Sequence, residues 1–293
     1  MSLSISDLTR PRGNPRSIRD AIATILMAAS VVAVIIPLVL VLVYVAQRGS
    51  ALFGWHFLTS DIPTTRSRGG GMGPAVAGTL LITGFASLLA IPLGVMGGIY
   101  LNEYGRNSRP AQVLRVLADV MTGVPSIVMG LFIYTFLVLR TQSLSGFAGA
   151  LALAALMLPV VIRATEEMLR LVPDDLRLGS FALGSRRATT ILRVVLPAAL
   201  PGIISGALLA LARAAGETAP LLFVIGITTT TNWSLSGTNT ALSVQIFRNA
   251  TQPFEGAQQR AWAAALTLIL IAFAFTMIAR LISSMLTRRN SAA

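Results

Sequence analysis

Six apolar runs, each long enough to cross a lipid bilayer, divide this chain of 293 residues. A membrane helix needs about 20 mainly apolar residues, and inside lipid only helices and closed barrels satisfy all backbone hydrogen bonds. The mean hydropathy of the chain is +0.75. The runs cover residues 21–46, 75–101, 116–139, 147–165, 198–226 and 261–286, of which the fourth is the shortest. The sequence therefore predicts an all-α integral membrane protein with six transmembrane helices.

The basic residues predict how these helices are oriented. The chain has 23 basic residues, all of them arginine, and a net charge of +12. With the N-terminus inside, sixteen arginines fall on cytoplasmic segments and helix ends, six fall outside, and Arg213 falls within a run. Because positive charge is held on the cytoplasmic side, this excess places both termini in the cytoplasm. The arginines flank apolar runs, so they indicate topology rather than nucleic-acid binding.

The organisation of the chain follows from these runs. The first run is too long for the apolar region of a cleaved signal peptide, so we expect it to be retained as a helix. An external loop then leads to a transmembrane core, and a short cytoplasmic tail follows. The predicted boundaries are 1–20, 21–46, 47–73, 74–287 and 288–293, with a long cytoplasmic loop at 166–197.

Residue types that the sequence lacks exclude several kinds of chemistry. There is no cysteine, and His56 is the single histidine, which excludes disulfides, thiolate sites and multi-histidine metal sites. There is no lysine, which a Walker-type phosphate-binding loop requires, so the chain is not a standard P-loop ATPase. We expect no catalytic residue, no metal and no cofactor bound directly, and any ATP-driven work would come from a partner.

The fifth run carries two charges in an apolar setting. Arg213 and Glu217 stand four residues apart, a spacing that places both on one helix face where they can pair. Arg213 would lie roughly 22 Å into the run, where a charge costs at least about 2.5 kcal/mol. Such a residue indicates a polar path through the membrane. The alternative is a buried ion pair that only fixes helix packing.

A stripe of small residues follows the same run, with one at every fourth position: Gly202, Gly206, Ala210 and Ala214. Small residues let helix backbones approach closely in lipid. The fifth helix is therefore expected in the centre of a bundle or at a subunit interface. Pro220 is expected to kink this helix beyond Glu217.

The third run contains the segment Thr122-Gly-Val-Pro-Ser126, in which a proline stands among two hydroxyl residues. A bend at this proline could expose backbone carbonyls to a cavity, where non-helical backbone is tolerated inside a membrane. A plain packing kink is the other interpretation.

The cytoplasmic segment 166–197 has the pattern of two short helices joined by a glycine. Pro173-Asp174-Asp175 is typical of a helix start, and Gly184 is typical of a helix end. Ser185 is expected to cap a second short helix that leads into the fifth membrane helix. The pair would form a docking element in the cytoplasm, or lie on lipid as an amphipathic hairpin.

This segment resembles the coupling loop of ABC importer permeases, whose pattern is E-A-A-x3-G-x9-I-x-L-P. Gly184 stands at the glycine, Val194 at the isoleucine, and Leu196 and Pro197 at the end of the pattern. Where the pattern has Glu, Ala and Ala, this chain has Leu178, Gly179 and Ser180. The resemblance implies that these seven residues contact a separate ATPase subunit, without the polar contact of the glutamate.

Three further strings resemble the permeases of phosphate importers. Gly73–Thr79 resembles the motif at the second helix, and Gly123–Gly130 resembles the motif of the third. Arg213–Leu222 contains Gly-Glu-Thr-Ala-Pro and is more similar to the PstA-type subunit than to its PstC-type partner. The resemblance covers about residues 70–290 and implies the type I ABC importer permease fold. It implies a substrate pathway that includes Arg213, Glu217, Thr218 and Ser126.

The resemblance implies a permease subunit of an ATP-driven phosphate importer in the bacterial cytoplasmic membrane. The implied partners are a homologous PstC-type permease, two copies of an ATPase that uses the ATP, an external phosphate-binding protein and the lipid bilayer. An arginine suits an anion path, because a guanidinium donates planar, paired hydrogen bonds to phosphate. Two other interpretations remain open: an importer of another oxyanion or an organic solute, and an ion-coupled secondary transporter or channel.

Overall fold

The computed structural model describes residues 15–106 and 108–291, with side chains for residues 19–106 and 108–285. The described residues form helices joined by turns and loops, without a strand. Contacts divide the chain into two units, Met1–Arg48 and Gly49–Ala293. Helix α1, Pro15–Gly49, accounts for the described part of the first unit and contains Pro37.

The second unit contains ten helices among its described residues. They are α2 (Trp55–Thr59), α3 (Gly73–Tyr104), α4 (Arg109–Gly123), α5 (Ser126–Thr141), α6 (Gly146–Arg170), α7 (Asp174–Ala182), α8 (Arg187–Ala215), α9 (Leu221–Val224), α10 (Leu242–Ala250) and α11 (Glu255–Ser291). Helix α8 widens to a π-helical turn at Ile191–Val195. This turn directly precedes Pro197, which has no N–H to continue the regular hydrogen-bond ladder.

Five helices in the described part of the chain are long and apolar enough to cross a membrane: α1, α3, α6, α8 and α11. Helices α4 and α5 pass the same test together and count as a sixth span when taken as one. The prediction of an all-α membrane protein with six spanning segments is therefore confirmed. The third span is broken rather than kinked, since α4 and α5 are bent by 103°. Pro125 lacks an N–H, and Val124 before it has extended backbone, so the helix stops there.

The expectation of one kinked helix across 198–226 is wrong. Helix α8 ends before Gly216, and the short helix α9 begins after Pro220. Pro220 cannot donate a hydrogen bond to the carbonyl of Gly216, and its ring would clash with that carbonyl in a helix. Glu217 therefore lies beyond the end of the helix that carries Arg213, and the two residues do not share one helix face.

Helix α6 packs against both α3 and α8 and forms the centre of the second unit. On α8, a Cβ at Gly202 would overlap Met168 of α6, and a Cβ at Gly206 would overlap Ala164. The other two members of the predicted stripe of small residues are buried. The expectation that this stripe brings helix backbones together is confirmed, and its partner is α6.

The cytoplasmic segment predicted at 166–197 begins within α6 and ends within α8. Its first short helix is α7, which starts at Asp174 directly after Pro173, as expected. The predicted second short helix is wrong as a separate element, because it is the beginning of α8. Ser185 does not cap it: Arg186 precedes the helix, and no side chain caps its first turn.

Part of the predicted organisation falls outside the described residues. The N-terminal segment predicted at 1–20 lies mostly there, and so does the end of the predicted tail. The domain boundaries derived from the sequence stay predictions.

The polar segment before α10 is tied to the start of α3. The backbone N–H of Leu242 donates to the hydroxyl of Thr79 at 2.8 Å, and both residues are buried. Next to it, a Cβ on Gly78 would overlap the carbonyl oxygen of Thr240. The absence of a side chain at Gly78 therefore allows the segment to reach the membrane core.

The substitution Gly78→Ala should destabilise the protein by about 1–3 kcal/mol, because the new methyl group meets a backbone oxygen that the neighbouring hydrogen bond holds in place. Gly84→Ala in the same helix is the matched control, since a Cβ there meets nothing within 4 Å. The melting temperature of the purified protein in detergent measures both. Equal melting temperatures of the two variants would contradict the close contact at Gly78.

Candidate functional site

A cavity of about 280 Å³ lies where the break between α4 and α5 meets α6 and the end of α8. It is lined by Met121, Thr122, Val124, Pro125, Ser126, Leu156, Met157, Val160, Ala210, Arg213, Ala214 and Glu217. Among these residues, only Arg213 and Glu217 carry charge. The structure therefore brings three predicted pathway residues, Arg213, Glu217 and Ser126, into one cavity. The break at Pro125 opens onto this cavity and is not a plain packing kink.

Arg213 and Glu217 form a loose ion pair at the end of α8. The guanidinium Nε of Arg213 lies 4.0 Å from Oε1 of Glu217. The side chain of Arg213 is 75% exposed and that of Glu217 is 23% exposed. An exposed pair of this kind contributes about 0–1 kcal/mol to stability. Within this chain, few protein contacts hold the guanidinium of Arg213.

The position of Glu217 is set by its backbone. Its N–H donates to the carbonyl of Ala214 at 3.1 Å, and its own carbonyl accepts a hydrogen bond from the buried hydroxyl of Ser243 at 2.8 Å. Nothing in the sequence pattern singles out Ser243, which lies on α10 far along the chain. Thr218 does not line the cavity, and its hydroxyl lies 3.5 Å from the carbonyl of Gly216.

The cavity has the chemistry of a weak oxyanion site. A guanidinium supplies charge and several N–H donors, and the hydroxyl of Ser126 can add a donor. The hydroxyl of Thr122 donates instead to the carbonyl of Asp119 at 2.6 Å. Arg213 lies in the last turn of α8, where the helix dipole favours a cation. The carboxylate of Glu217 competes with any bound anion for the guanidinium, which lowers the affinity of the site.

The predicted coupling residues lie around α7. A shallow groove is lined by Gly179, Ser180 and Val194 together with Leu176 and Leu183, and Leu183 is 88% exposed. Three of the seven predicted residues thus share this groove. Leu178 is exposed on α7, whereas Leu196 and Pro197 lie within α8, where Leu196 packs against the buried cluster that includes Leu169 and Val195.

Gly184 ends the turn after α7 with a positive φ of 78°. Side chains with a Cβ disfavour this left-handed conformation, so the backbone itself requires glycine here. The hydroxyls of Ser180 and Thr190 lie 2.9 Å apart and connect α7 to the first turn of α8 across this turn. The expectation of a glycine stop at Gly184 is confirmed.

Arg177 anchors α7 to the membrane helices. The sequence did not reveal this role, because the arginines outside the apolar runs were interpreted only as signals of topology. Its buried guanidinium donates to Oε1 of Glu103 at 2.8 Å, and to the carbonyls of Val172 and Leu169 at 2.7 and 2.9 Å. Leu169 lies in the last turn of α6 and Val172 lies just after it, where helix-end carbonyls need hydrogen-bond donors from outside the helix. Arg177 therefore joins α7 to the ends of α3 and α6.

A second buried carboxylate, that of Glu166 on α6, gathers three arginines. Arg115, Arg163 and Arg170 donate to it at 2.7, 3.1 and 3.2 Å. Arg115 also donates to the carbonyl of Leu101, at the end of α3, at 2.8 Å. The spacing of residues 163, 166 and 170 is a signal that the sequence offered, since these positions share one helix face.

The chain is similar to known transport proteins. Residues 90–290 match the family model described as "Binding-protein-dependent transport system inner membrane component". It is 43% identical to the phosphate transport system permease protein PstA 1 of Mycobacterium tuberculosis strain H37Rv, over 96% of this chain and 92% of that protein. It is 41% identical to PstA of Yersinia pestis, over 90% of each.

Solved structures share the fold at low sequence identity. The inward-facing MetNI methionine ABC transporter matches 73% of this chain and 93% of that chain, with a TM-score of 0.58 at 19% identity. A bacterial ABC transporter involved in import of the acidic polysaccharide alginate matches 92% and 98%, with a TM-score of 0.59 at 18% identity. The predicted ABC importer permease fold is confirmed. On its sequence and its fold, the chain belongs to the family of binding-protein-dependent transport system inner membrane components, with the PstA-type permeases as relatives.

Proposed function

We propose that the chain is the membrane permease subunit of an ATP-driven importer of inorganic phosphate. The observation that carries this proposal is the cavity in which Arg213, Glu217 and Ser126 meet between two helix breaks. The names of the similar proteins, which are phosphate transport permeases, support phosphate as the substrate. The chain itself performs no chemistry, and a separate ATPase hydrolyses the ATP.

In this cavity, phosphate would meet a donor set suited to its charge. The guanidinium of Arg213 offers bidentate hydrogen bonds, and Ser126 adds a hydroxyl. Glu217 keeps the guanidinium oriented when the site is empty and competes with the anion when it is filled. A pathway site must release its ligand, so this competition serves transport. Thr218 stays in the proposal as a neighbour of Glu217 outside the cavity.

Coupling to the ATPase is proposed to run through α7 and the turn at Gly184. The exposed apolar side chains of Leu178 and Leu183 offer a docking surface beside the groove at Gly179, Ser180 and Val194. Leu196 and Pro197 lie within α8 and would transmit movement along it to the end that carries Arg213. The buried contacts of Arg177 would make α7 move together with the ends of α3 and α6.

The proposed assembly has a PstC-type permease, two ATPase subunits and an external phosphate-binding protein around this chain in the bacterial cytoplasmic membrane. Both termini would be cytoplasmic, which puts the Glu166 and Arg177 clusters at the ATPase side and the segments before α3 and before α10 outside. The arginine distribution supports this orientation.

Removal of the charge at Arg213 should abolish phosphate uptake without unfolding the protein. In Arg213→Gln, uptake into vesicles that contain the whole complex should fall at least about tenfold, because a charge-assisted hydrogen bond is lost. Arg213→Lys should restore little of the phosphate uptake, since the lysine ammonium lacks the forked geometry of the guanidinium. Sulfate competition with the parental complex tests the alternative of another oxyanion.

The double variant Arg213→Leu with Glu217→Leu separates a pathway role from a packing role. An apolar pair can replace an ion pair whose role is structural, so a packing role predicts normal uptake. The proposed role predicts a complex that assembles in normal amounts and transports no phosphate. Uptake near the parental rate in the double variant would refute the assignment of Arg213.

Gly184→Val should weaken the link to the ATPase, because valine is strained at a φ of 78°. The complex should insert normally but lose phosphate-stimulated ATP hydrolysis. Gly184→Asn is the control at the same position, since asparagine tolerates the left-handed region and should retain more activity. Equal activity of the valine and asparagine variants would show that the backbone conformation at Gly184 does not matter.

The orientation can be tested with single cysteines, because the chain has none of its own. In right-side-out vesicles, an impermeant maleimide should label cysteines at Gly71 and Thr230 and spare those at Ser4 and Ser291. Labelling at Ser4 or Ser291 from outside would overturn the topology.

A further inference from the structure

Helix α10 carries a stripe of polar side chains on one face. Gln245, Arg248 and Asn249 follow the spacing i, i+3 and i+4, which places them on the same side of the helix, and Gln252 follows in the turn just after the helix end. A stripe of this kind normally faces solvent. Here Gln245 is only 4% exposed and Asn249 only 7% exposed. Part of the stripe therefore faces protein, where polar groups are costly unless they have partners.

The stripe forms one wall of a pocket of about 170 Å³. Other walls come from Thr64 and Thr65, in the segment between α2 and α3, and from Thr229, in the segment after α9. The two segments are joined where the N–H of Ile62 donates to the carbonyl of Thr229 at 2.9 Å. The pocket is thus enclosed by three parts of the chain that the fold holds together.

Hydrogen bonds fix the buried part of the stripe. The side-chain amide of Asn249 donates to Oε1 of Gln245 at 3.0 Å, and the amide of Gln245 donates to the hydroxyl of Thr240 at 2.9 Å. The same Thr240 lies against Gly78 at the start of α3. The Asn249 amide also donates to the carbonyl of Gln245 at 2.9 Å, so both of its N–H groups are used within the protein. These bonds fix the shape of the wall and leave one amide N–H of Gln245 for a ligand.

The charged lining of the pocket is positive. Arg248 is the one charged residue of the lining, and it forms no ion pair with any carboxylate among the side chains that the structure describes. Of the nearby acids, Asp61 is exposed and outside the lining, and Glu255 pairs with Arg68 at 3.3 Å. The guanidinium of Arg248 is thus available to a ligand.

A second arginine stands behind the wall. Arg260 is fully buried and donates to the carbonyls of Thr64 and Thr65 at 3.4 and 3.0 Å, and to those of Ser67 and Gly69 at 2.5 and 3.0 Å. Its partners are neutral carbonyls, and its Nε has no hydrogen-bond partner among the described residues. Its full charge therefore adds to the positive potential of the pocket, and burial leaves that charge less screened than it would be in water.

We propose that this pocket is a second binding site for a tetrahedral oxyanion of the phosphate class, with Arg248 as its charged ligand. The hydroxyls of Thr65 and Thr229 and the amides of Gln245 and Gln252 can supply neutral donors around the guanidinium. The lining holds no carboxylate to repel an anion. This differs from the cavity at Arg213, where Glu217 competes for the guanidinium. This proposal depends on the proposed function in one respect: it takes the ligand of the pocket to be the anion that is transported.

Helix α10 connects the two sites. Arg248 lies in its second half, whereas Ser243 lies in its first turn and holds the carbonyl of Glu217 at 2.8 Å. In the proposed orientation the pocket is external, so an incoming anion would meet Arg248 before Arg213. The anion would then bind first in this pocket before it reaches the cavity at Arg213.

Protection of a single cysteine from labelling tests the site. Thr229→Cys places a thiol in the pocket wall, and Gln252→Cys gives a second, independent position. In right-side-out vesicles with the complete complex, phosphate at ~10 mM should slow labelling by an impermeant maleimide about tenfold if the dissociation constant is about 1 mM. Adding Arg248→Gln should reduce this protection to about twofold or less, because the charged donor is lost.

Arg140→Gln is the matched control, since it removes an exposed arginine from the same side of the protein and outside the pocket. It should leave the protection unchanged. Protection by phosphate or sulfate that depends on Arg248 and persists in Arg213→Gln supports the site. Absence of protection at both cysteines, or protection that Arg248→Gln leaves intact, overturns it.

Two further outcomes decide what the pocket binds. Protection that requires the external binding protein and no anion would mean that the pocket takes a protein side chain, and the proposal would fail. If the parental complex imports no phosphate, the proposed function fails on its own, while protection of the cysteine by either oxyanion still decides the site.

Discussion

Two helix breaks that contact each other create the cavity on which the proposed function depends. Pro125 ends α4, and Pro220 prevents α8 from continuing past Gly216. Gly130, just after the first break, packs against the backbone of Pro220, and a Cβ there would overlap it. Inside a membrane, non-helical backbone is tolerated only where it is buried in protein or lines a cavity. The structure meets this condition because the two breaks face each other. In addition, the hydroxyl of Ser243 on α10 donates a hydrogen bond to the carbonyl of Glu217.

The arginines divide into those that are fixed and those that are available. Arg177 and the three arginines around Glu166 are held by carboxylates and by helix-end carbonyls, so their charges stabilise contacts between helices. Arg213 is paired loosely at 4.0 Å, and Arg248 has no acidic partner among the described side chains. Burying a charge is tolerable only when partners offset the lost hydration. A fully paired arginine has little to offer a ligand, whereas Arg213 and Arg248 each line a cavity without a tight acidic partner among the described side chains.

Much of the fold could be predicted from the sequence, because hydropathy and proline positions report on single segments. The spans, the start of α7 and the turn at Gly184 are local features of this kind. The end of α8 could not be predicted so well, since the apolar run continues beyond Gly216 to Gly226, and Pro220 within such a run can mean a kink as well as an end. Contacts between distant segments were invisible: Arg177 and Glu103 lie 74 residues apart. The buried face of α10 was also missed, because a polar stripe indicates solvent exposure until the packing around it is known.

The two proposed sites would differ in a way that suits passage of an anion. A site that binds too tightly would hold its ligand, so each stop on a pathway has to be weakened by some feature of its own. At Arg213 the weakening feature is Glu217, a competing carboxylate built into the cavity. At Arg248 it is exposure, because water screens a guanidinium at the rim of a pocket. The carbonyl of Glu217 is held by Ser243 of α10, so movement of α10 would shift the carboxylate relative to Arg213. Binding at the pocket proposed around Arg248 and affinity in the cavity at Arg213 would thus be joined through α10.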